Sequence, residues 1–182
     1  AGELTLVGVG AHVGSQFTTL APYLEAARTV FELAREARAA GAALRFVDTG
    51  GGFGIDYGGG RAATPADFIR AARAAQREAG LDDLALYCEP GRALVGAHGV
   101  LVARVIQAKR HGERRWLMID AGMNDLVRPA MYQARHRVVT DEPAAGPLVL
   151  YRVVGPVCES SDDFGAHLLP VPPPARVALL DA

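Results

Sequence analysis

Three consecutive glycines, Gly50 to Gly52, constrain the fold of this sequence more than any other feature. They follow an apolar run, Leu44 to Val47, which predicts a short buried strand. Glycine adopts positive φ without steric cost and lets a ligand approach the backbone closely, and successive N–H groups in such a turn can converge on an anion. A flexible surface turn is the alternative. Because a strand leads into the run and the apolar Phe53 and Ile55 follow it, the sequence favours a phosphate-binding turn.

The elements around the glycine run predict a parallel sheet. Up to residue 97, the pattern predicts a strand over Leu4 to Val9, a helix over Leu20 to Ala40, the strand over Leu44 to Val47, a helix that Gly80 ends and a strand over Leu84 to Tyr87. The second helix begins where Thr64 fits the N-cap, Pro65 the first helical position and Asp67 the first turn. Strands that alternate with helices pair in parallel.

Polar and small residues follow each of the three predicted strands. His12 and Ser15 follow the first strand, the glycine run follows the second, and Glu89 and Arg92 follow the third. Taken alone, a histidine beside a strand is more often structural. The alternative for Glu89 is a surface ion pair, which Pro90 and Gly91 directly after the strand disfavour. Ligands of parallel α/β folds bind at the carboxyl ends of the strands. The shared position of these residues therefore predicts one site.

The second half of the sequence predicts a different kind of domain. The predicted strands there cover Val100 to Ala108, Trp116 to Asp120, Val138 to Thr140, Leu148 to Val154 and Val177 to Leu180, and no long amphipathic helix lies between them. The proline-rich stretch Leu169 to Pro174 is predicted to be a short loop. The sequence therefore predicts an α/β domain over residues 1–97 and a mostly β domain over residues 98–182, and the β domain is expected to be incomplete at its C-terminus.

Composition excludes several classes of protein. The net charge of -1 gives no electrostatic basis for binding nucleic acid or an acidic membrane surface, and no apolar run reaches the roughly 18 residues that span a bilayer. The two cysteines, Cys88 and Cys158, lie far apart, which favours a reducing cytoplasm over a disulfide scaffold. Of the 19 basic residues only Lys109 is a lysine, so a mechanism that needs an amine has one candidate. No metal site is predicted.

Five segments, in one order, carry a family resemblance. They are His12-Val13-Gly14-Ser15-Gln16, Gly50-Gly51-Gly52-Phe53-Gly54, Glu89-Pro90-Gly91-Arg92, the segment from Asp120 to Pro129, and Gly155-Pro156-Val157-Cys158-Glu159-Ser160. Together they resemble the diaminopimelate decarboxylases, fold-type III enzymes that depend on pyridoxal 5'-phosphate (PLP). The resemblance implies the C-terminal part of a (β/α)8 barrel followed by a sandwich-like β domain. It also implies a cytoplasmic homodimer with a shared active site that converts meso-diaminopimelate to L-lysine, the last step of lysine biosynthesis.

The resemblance also implies a role for each motif residue in holding the cofactor. It assigns cofactor binding to His12, Ser15, Gly50, Gly51, Gly52, Glu89, Gly91 and Arg92. His12 would stack on the pyridine ring, and the glycine turn, the Ser15 hydroxyl and the Gly91–Arg92 backbone would hold the phosphate. Glu89 would lie against the pyridine nitrogen, where a carboxylate favours the protonated ring.

The remaining motif residues would bind the substrate and take part in the chemistry. The resemblance assigns substrate binding to Arg92, Arg128, Tyr132 and Glu159, and arginine suits carboxylates because its planar fork makes two parallel hydrogen bonds. Cys158 would donate the proton that replaces the lost carboxylate, in the active site of the partner chain. Read alone, Arg128 is also consistent with a plain loop cation, and Cys158 with a small core residue.

Two departures from the family pattern keep alternatives open. The lysine to which these enzymes attach the cofactor belongs to a barrel segment that this sequence does not contain, and Lys109 is predicted to lie in a solvated turn after Val100 to Ala108. The sequence is therefore expected to be about the C-terminal half of a decarboxylase, inactive by itself. The alternatives are a related ornithine or arginine decarboxylase and a non-catalytic PLP-binding or regulatory remnant. The run Ser160 to Asp163 also replaces a more usual Ser-Gly-Asp, which leaves the position of Glu159 open.

Overall fold

The computed structural model of the protein describes residues 4–58, 60, 62–140 and 146–182. The chain divides into two compact units, Ala1–Gly96 and Ala97–Ala182, and each unit contains its own buried hydrophobic clusters. In the described part of the chain, no helix is both long enough and apolar enough to cross a membrane.

The first unit contains a three-stranded parallel sheet with helical crossovers. Its elements are β1 (Gly8–Gly10), α1 (Leu20–Ala39), β2 (Phe46–Gly51), α2 (Pro65–Glu78), β3 (Ala85–Glu89) and α3 (Gly91–Val95), and a short 3-10 helix, Gly96–His98, follows. The strands lie in the order β1-β2-β3. The parallel order and both long helices agree with the sequence prediction.

The two long helices form because each has a buried apolar stripe and a defined end. In α1 the buried residues recur at helical spacing: Tyr23, Ala27, Val30, Phe31 and Ala34. At the start of α2, Thr64 and Asp67 form a capping box, and Pro65 occupies the first turn. Past its end, the buried amide of Gln76 donates to the carbonyl oxygens of Leu81 and Leu84, both at 2.9 Å. This side chain therefore satisfies the backbone of the turn into β3.

Two strand boundaries in the first unit differ from the prediction. The strand predicted over Leu4 to Val9 is limited to Gly8–Gly10, because its one neighbour, β2, begins only at Phe46, the partner of Gly8. Leu4 is 95% exposed rather than buried. The strand predicted to end at Val47 instead continues through Gly51, because Gly51 pairs with Glu89 of β3.

The second unit is a six-stranded mixed sheet in the order β6-β9-β4-β5-β7-β8. Its elements are β4 (Val100–His111), β5 (Arg114–Ile119), α4 (Arg128–Tyr132), β6 (Val138–Thr140), β7 (Leu148–Val154), β8 (Asp163–Pro170) and β9 (Arg176–Leu180). Only the β5–β7 pair is parallel among these neighbours. The edge strands β6 and β8 also contact each other, so the sheet curls towards a barrel around the core of Leu117, Ile119 and Val153.

Two predictions for the second unit are wrong. Residues Asp163–Pro170 form a strand, β8, which the prediction left partly as loop. This strand exists because its whole length pairs with β7. Lys109 lies within β4, opposite Trp116 of β5, and not in a turn after β4. Its side chain is exposed, as expected.

Candidate functional site

Residues from the carboxyl ends of all three parallel strands line one open cleft in the first unit. The cleft has a volume of about 420 Å³, and His12, Asp48, Gly50 and Glu89 are among the residues that line it. His12 follows β1, Asp48 and Gly50 belong to β2, and Glu89 ends β3. The parallel sheet therefore brings together side chains that are up to 77 positions apart, since 89 − 12 = 77.

A hydrogen bond to the glycine run fixes the imidazole of His12. The amide N–H of Gly51 donates to His12 Nδ1 over 3.2 Å, so Nδ1 carries no proton and the ring proton of the neutral imidazole lies on Nε2. Glu89 Oε2 lies 3.8 Å from the same Nδ1. Both side chains are about half exposed, at 51% and 59%, and face the cleft.

Only glycine fits the turn that ends β2. Gly50 and Gly52 have φ of +68° and +80°, values that other residues rarely adopt. A Cβ added at Gly51 would overlap the carbonyl oxygen of Glu89, and one added at Gly52 would overlap that of Gly14. The three glycines are thus required by the close approach of neighbouring backbone segments as well as by φ.

Among the backbone N–H groups of Gly50, Gly51 and Gly52, two already have acceptors within the chain. The Gly50 N–H donates to Asp48 Oδ1 over 2.9 Å, and the Gly51 N–H donates to His12. A phosphate at the Gly50 amide therefore has to replace the Asp48 carboxylate. The sequence prediction missed Asp48, although it directly precedes Thr49 and the glycines, where an aspartate side chain bonds to the backbone two residues on.

Gln16 and Tyr23 bond to the residues on either side of the glycine turn, and the sequence prediction gave neither residue a role. Gln16 has φ of +62°, and its side-chain amide donates to the Ile55 carbonyl (2.5 Å) and accepts from the Ile55 N–H (3.4 Å). The hydroxyl groups of Tyr23 and Thr49 lie 2.6 Å apart. Burial raises the pKa of Tyr23, while the hydrogen bond with Thr49 acts in the opposite direction. These contacts hold the segments on both sides of the glycines.

The other residues predicted to bind the cofactor lie nearby but do not line this cleft. Ser15 is exposed in the bend after His12. Gly91 and Arg92 begin the five-residue helix α3 directly after β3. The structure therefore places all predicted cofactor residues at one end of the sheet and brings only some of them to the cleft.

In the second unit, two predicted substrate residues lie together on α4. The Arg128 guanidinium carbon lies 5.1 Å from the centre of the Tyr132 ring, within the range of a cation–π contact. Arg128 Nε is buried and finds no hydrogen-bond partner among the described residues. Arg128 begins α4, and Tyr132 ends it.

Cys158 and Glu159 lie in the exposed connection from β7 to β8. The Glu159 carboxylate accepts hydrogen bonds from the Ser160 hydroxyl (3.0 Å) and the Ser161 N–H (3.3 Å). The Ser160 hydroxyl is the main reason why the pKa of Glu159 is lowered from its usual value, with the backbone N–H groups next. Glu159 is therefore an anion at neutral pH, as a partner for an ammonium group requires.

Comparison with known proteins places both units in one family. Residues 1–96 match the pyridoxal-dependent decarboxylase, pyridoxal binding domain. The chain belongs to the pyridoxal-dependent decarboxylases. Residues 94–178 match the C-terminal sheet domain of the same family. The family resemblance and the PLP cofactor predicted from the five motifs are thereby confirmed.

Individual relatives are diaminopimelate decarboxylases. The chain is 39% identical over 176 residues to the enzyme of Helicobacter pylori and 44% identical over 160 residues to that of Archaeoglobus fulgidus. These matches cover 95% and 86% of this chain but only 43% and 38% of the relatives. Among solved structures, diaminopimelate decarboxylase from Helicobacter pylori complexed with L-lysine matches with a TM-score of 0.86 and 37% identity, over 99% of this chain and 44% of that one. The chain thus spans less than half the length of these relatives.

The cleft in the first unit fits a phosphorylated aromatic cofactor. Its volume lies within the range of ~300–1,000 Å³ that is usual for small-molecule sites. His12 offers an aromatic plane, and Glu89 offers an acceptor for a ring N–H. The glycine turn lets a ligand approach the backbone, because any side chain there would overlap neighbouring carbonyl groups.

Proposed function

We propose that the protein takes part in the PLP-dependent decarboxylation of meso-diaminopimelate to L-lysine. The observation that carries this proposal is the placing of His12, the glycine turn and Glu89 around one cleft, in a chain 39% and 44% identical to diaminopimelate decarboxylases. We also propose that residues 1–97 are the C-terminal part of a (β/α)8 barrel and that residues 98–182 are the β domain. The proposed enzyme is a cytoplasmic homodimer.

The first unit would hold and tune the cofactor. When bound, PLP supplies a ring that takes up the electron pair left by the departing carbon dioxide. Glu89 would hold the proton on the pyridine nitrogen, since a nearby carboxylate favours the charged form. His12, whose Nδ1 is fixed by the Gly51 amide, would cover one face of the ring. Ser15, the glycine turn and the Gly91–Arg92 backbone would bind the phosphate.

The second unit would supply groups for the substrate. Arg128, together with Arg92, would bind carboxylates through its planar fork, and the Tyr132 ring contacts the Arg128 guanidinium. The Glu159 anion would bind the distal ammonium group. The Cys158 thiol would donate its proton to the carbon that has lost the carboxylate, in the partner subunit's site.

An assay with three substrates tests the proposed function. The full-length gene product that carries this sequence, loaded with PLP, is given meso-diaminopimelate, ornithine or arginine, and released carbon dioxide is measured. We expect release from meso-diaminopimelate at a kcat/KM at least tenfold above the other two substrates. A preference for ornithine or arginine would instead support a related basic-amino-acid decarboxylase. This alternative has support from the lysine/ornithine decarboxylase of Vibrio vulnificus, which matches at 28% identity and a TM-score of 0.78.

Borohydride reduction addresses the non-catalytic alternative, which is motivated by the single lysine of this sequence. Lys109 lies on β4 of the second unit, so it is not expected to bind PLP covalently. After reduction, mass spectrometry should find no pyridoxyl group on Lys109 and one on a lysine elsewhere in the gene product. A PLP-binding protein without any modified lysine and without decarboxylation would be the remnant.

Mixed dimers test the proposed homodimer with its shared site. Glu89→Ala and Cys158→Ala each inactivate one contribution to the site. If Cys158 acts in the partner subunit's site, a mixed dimer has one site with both defects and one with neither. With half of the dimers mixed, up to about a quarter of the wild-type activity should return. No recovery, with subunit exchange confirmed by a tagged chain, would place Cys158 in its own chain's site.

A further inference from the structure

A single buried carboxylate connects the two segments of the second unit that carry proposed substrate residues. We propose that Asp162 is a positioning residue that fixes the Val157–Glu159 segment and the Gly122–Arg128 segment relative to each other. The roles of Cys158, Glu159 and Arg128 in this inference rest on the proposed function. The connection that Asp162 makes between the two segments, called the clamp below, rests on contacts within the second unit.

The Asp162 carboxylate accepts a backbone hydrogen bond from each segment. Oδ1 accepts from the Met123 N–H over 2.6 Å, and Oδ2 accepts from the Val157 N–H over 2.7 Å. The residue is only 4% exposed. Hydrogen bonds to a charged acceptor are roughly twice as strong as neutral ones, so these two contacts bind the segments firmly although they are 34 positions apart (157 − 123 = 34).

Two glycines leave the space that this carboxylate needs. A Cβ added at Gly155 would overlap both carboxylate oxygens of Asp162, and one added at Gly122 would lie 3.1 Å from Oδ2. Neither glycine has positive φ, so their conformations do not require glycine. The space for Asp162 is the reason for a small residue at Gly155, and at Gly122 it acts together with the closer Asn124 Oδ1.

Asp162 has no cationic partner among the residues that the structure describes, and its charge is stabilised by backbone N–H groups. The carboxylate of the adjacent Asp163 bonds to the Arg152 guanidinium and also accepts from the Gly165 N–H two residues on. Asp163 therefore bonds to one arginine and to its own turn, whereas Asp162 bonds to the backbone of Met123, 39 positions away (162 − 123 = 39), as well as to that of Val157. Removal of the Asp162 carboxylate would leave two partly buried N–H groups without their acceptor.

Backbone hydrogen bonds within each segment connect the groups that Asp162 holds to the proposed substrate residues. On one side, the Asp162 N–H donates to the Glu159 carbonyl and the Glu159 N–H donates to the Val157 carbonyl, so Cys158 lies in a closed turn. On the other side, Met123 is followed by a turn in which the Leu126 N–H donates to the Gly122 carbonyl. Arg128 begins α4 two residues later.

Kinetics of Asp162→Asn in the PLP-loaded full-length protein test the positioning role. Asparagine keeps the shape but presents an N–H group to one of the two backbone donors, so we expect kcat/KM to fall on the order of 10²-fold, the cost of misplacing groups by about 1 Å. Both kcat and KM should change, because the turn carries the proton donor and the ammonium partner. Asp163→Asn is the matched control and should change kcat/KM less than threefold. Equal effects of the two substitutions would overturn the proposal.

A double-mutant cycle separates positioning from general destabilisation. If the Asp162→Asn substitution lowers kcat because it misplaces Cys158, it should add almost nothing to the kcat loss of Cys158→Ala. It should still raise KM in that background, since Glu159 is displaced as well. Multiplication of the two kcat losses would show that Asp162 acts independently of the thiol and would refute the proposed role.

A readout without substrate keeps this inference distinct from the proposed function. Hydrogen exchange of the Met123 and Val157 amides, and alkylation of Cys158 by iodoacetamide, should both change in Asp162→Asn and in Gly155→Ala, and neither should change in Asp163→Asn. Gly155→Ala reaches the same carboxylate through steric overlap, so it also serves if Asp162→Asn fails to fold. If the wild type releases no carbon dioxide but these changes occur, the proposed function fails and the clamp stands. Unchanged exchange and alkylation in the folded variants would refute the clamp.

Discussion

The two units hold their proposed functional residues by opposite means. In the first unit the backbone segments approach so closely that glycine is required: a Cβ at Gly51 or Gly52 would overlap a neighbouring carbonyl group. In the second unit a side chain, Asp162, connects the backbone segments through two hydrogen bonds. An added methyl group therefore disturbs the first site at the backbone itself, whereas the second site depends on the Asp162 carboxylate, which either its removal or a methyl group at Gly155 disturbs.

This difference also separates what each unit contributes to the proposed chemistry. The first unit presents fixed groups at the end of a parallel sheet, where the strand ladder sets the distances between them. The second unit presents its groups on connections between strands, whose positions depend on specific side-chain bonds. Substitutions that affect one kind of support and not the other provide direct tests of the comparison.

The largest expected effect concerns the thiol of the second unit. Cys158→Ala should lower kcat by ~10²–10⁴-fold, the usual contribution of a positioned acid, with KM little changed. Steady-state kinetics with meso-diaminopimelate measure both. Glu159→Gln should act mainly on KM, because its interaction with the substrate is present before and during the chemistry. Cys88→Ala is the matched control in the first unit, where burial raises the pKa of the thiol, and an equal loss of kcat there would contradict the assignment.

The steric requirement of the first unit predicts the next largest effect. Gly51→Ala should lower the free energy of unfolding by ~3 kcal/mol, since the methyl group overlaps the Glu89 carbonyl and the backbone has to move. Gly80→Ala is the control: its φ is +68° with open space around the added Cβ, so only the ~1–2 kcal/mol cost of the left-handed conformation applies. Denaturation followed by the helical circular dichroism of α1 and α2 reports on the first unit.

The same experiment shows whether the units respond separately. The single tryptophan, Trp116, lies on β5 of the second unit. Its fluorescence transition should stay at the same denaturant concentration in Gly51→Ala. A shift of both signals together would show that the two units unfold as one and would remove the basis for treating their supports as independent.

A smaller effect is expected for the hydrogen bond between the hydroxyl groups of Tyr23 and Thr49. Thr49 donates to the Tyr87 carbonyl over 3.2 Å and has Tyr23 as its second partner. Tyr23→Phe should therefore cost ~1 kcal/mol, the net value of a hydrogen bond. Burial raises the folded pKa of Tyr23, so this residue contributes stability that is present below the unfolded pKa of about 10 and is lost as the pH rises through the folded pKa. The variant should lose less stability than the wild type above pH 10, and identical alkaline profiles would contradict this.

The smallest effect is expected at the start of α2. Thr64→Ala removes the capping side chain and should cost ~1 kcal/mol at pH 7. The Thr64 hydroxyl is the main reason why the pKa of Asp67 is lowered, so this carboxylate contributes stability above the unfolded pKa of about 4 and loses it as the pH falls through the folded pKa. The difference between variant and wild type should shrink below pH 4. Urea titrations at pH 7 and pH 3 measure it, and a constant difference would show that Asp67 is not coupled to the cap.

Local sequence rules determined much of this protein. The N-cap at Thr64, the first-turn position of Asp67 and the end of α2 before Gly80 follow from residues a few positions apart, and they agree with the structure. The parallel order of the first three strands follows from their alternation with helices. The motif segments were sufficient to predict the family and the cofactor.

Only the tertiary structure decided which backbone groups these residues meet. The bond between His12 and the Gly51 N–H and the bond between Asp162 and the Met123 N–H each join residues that are 39 positions apart. The length of β1 and the existence of β8 likewise depended on what their neighbours could pair with. Local propensity acts over a few residues, whereas a buried backbone donor bonds to whichever acceptor the fold places beside it. The sequence therefore predicted which residues matter, and the fold determined how they are held.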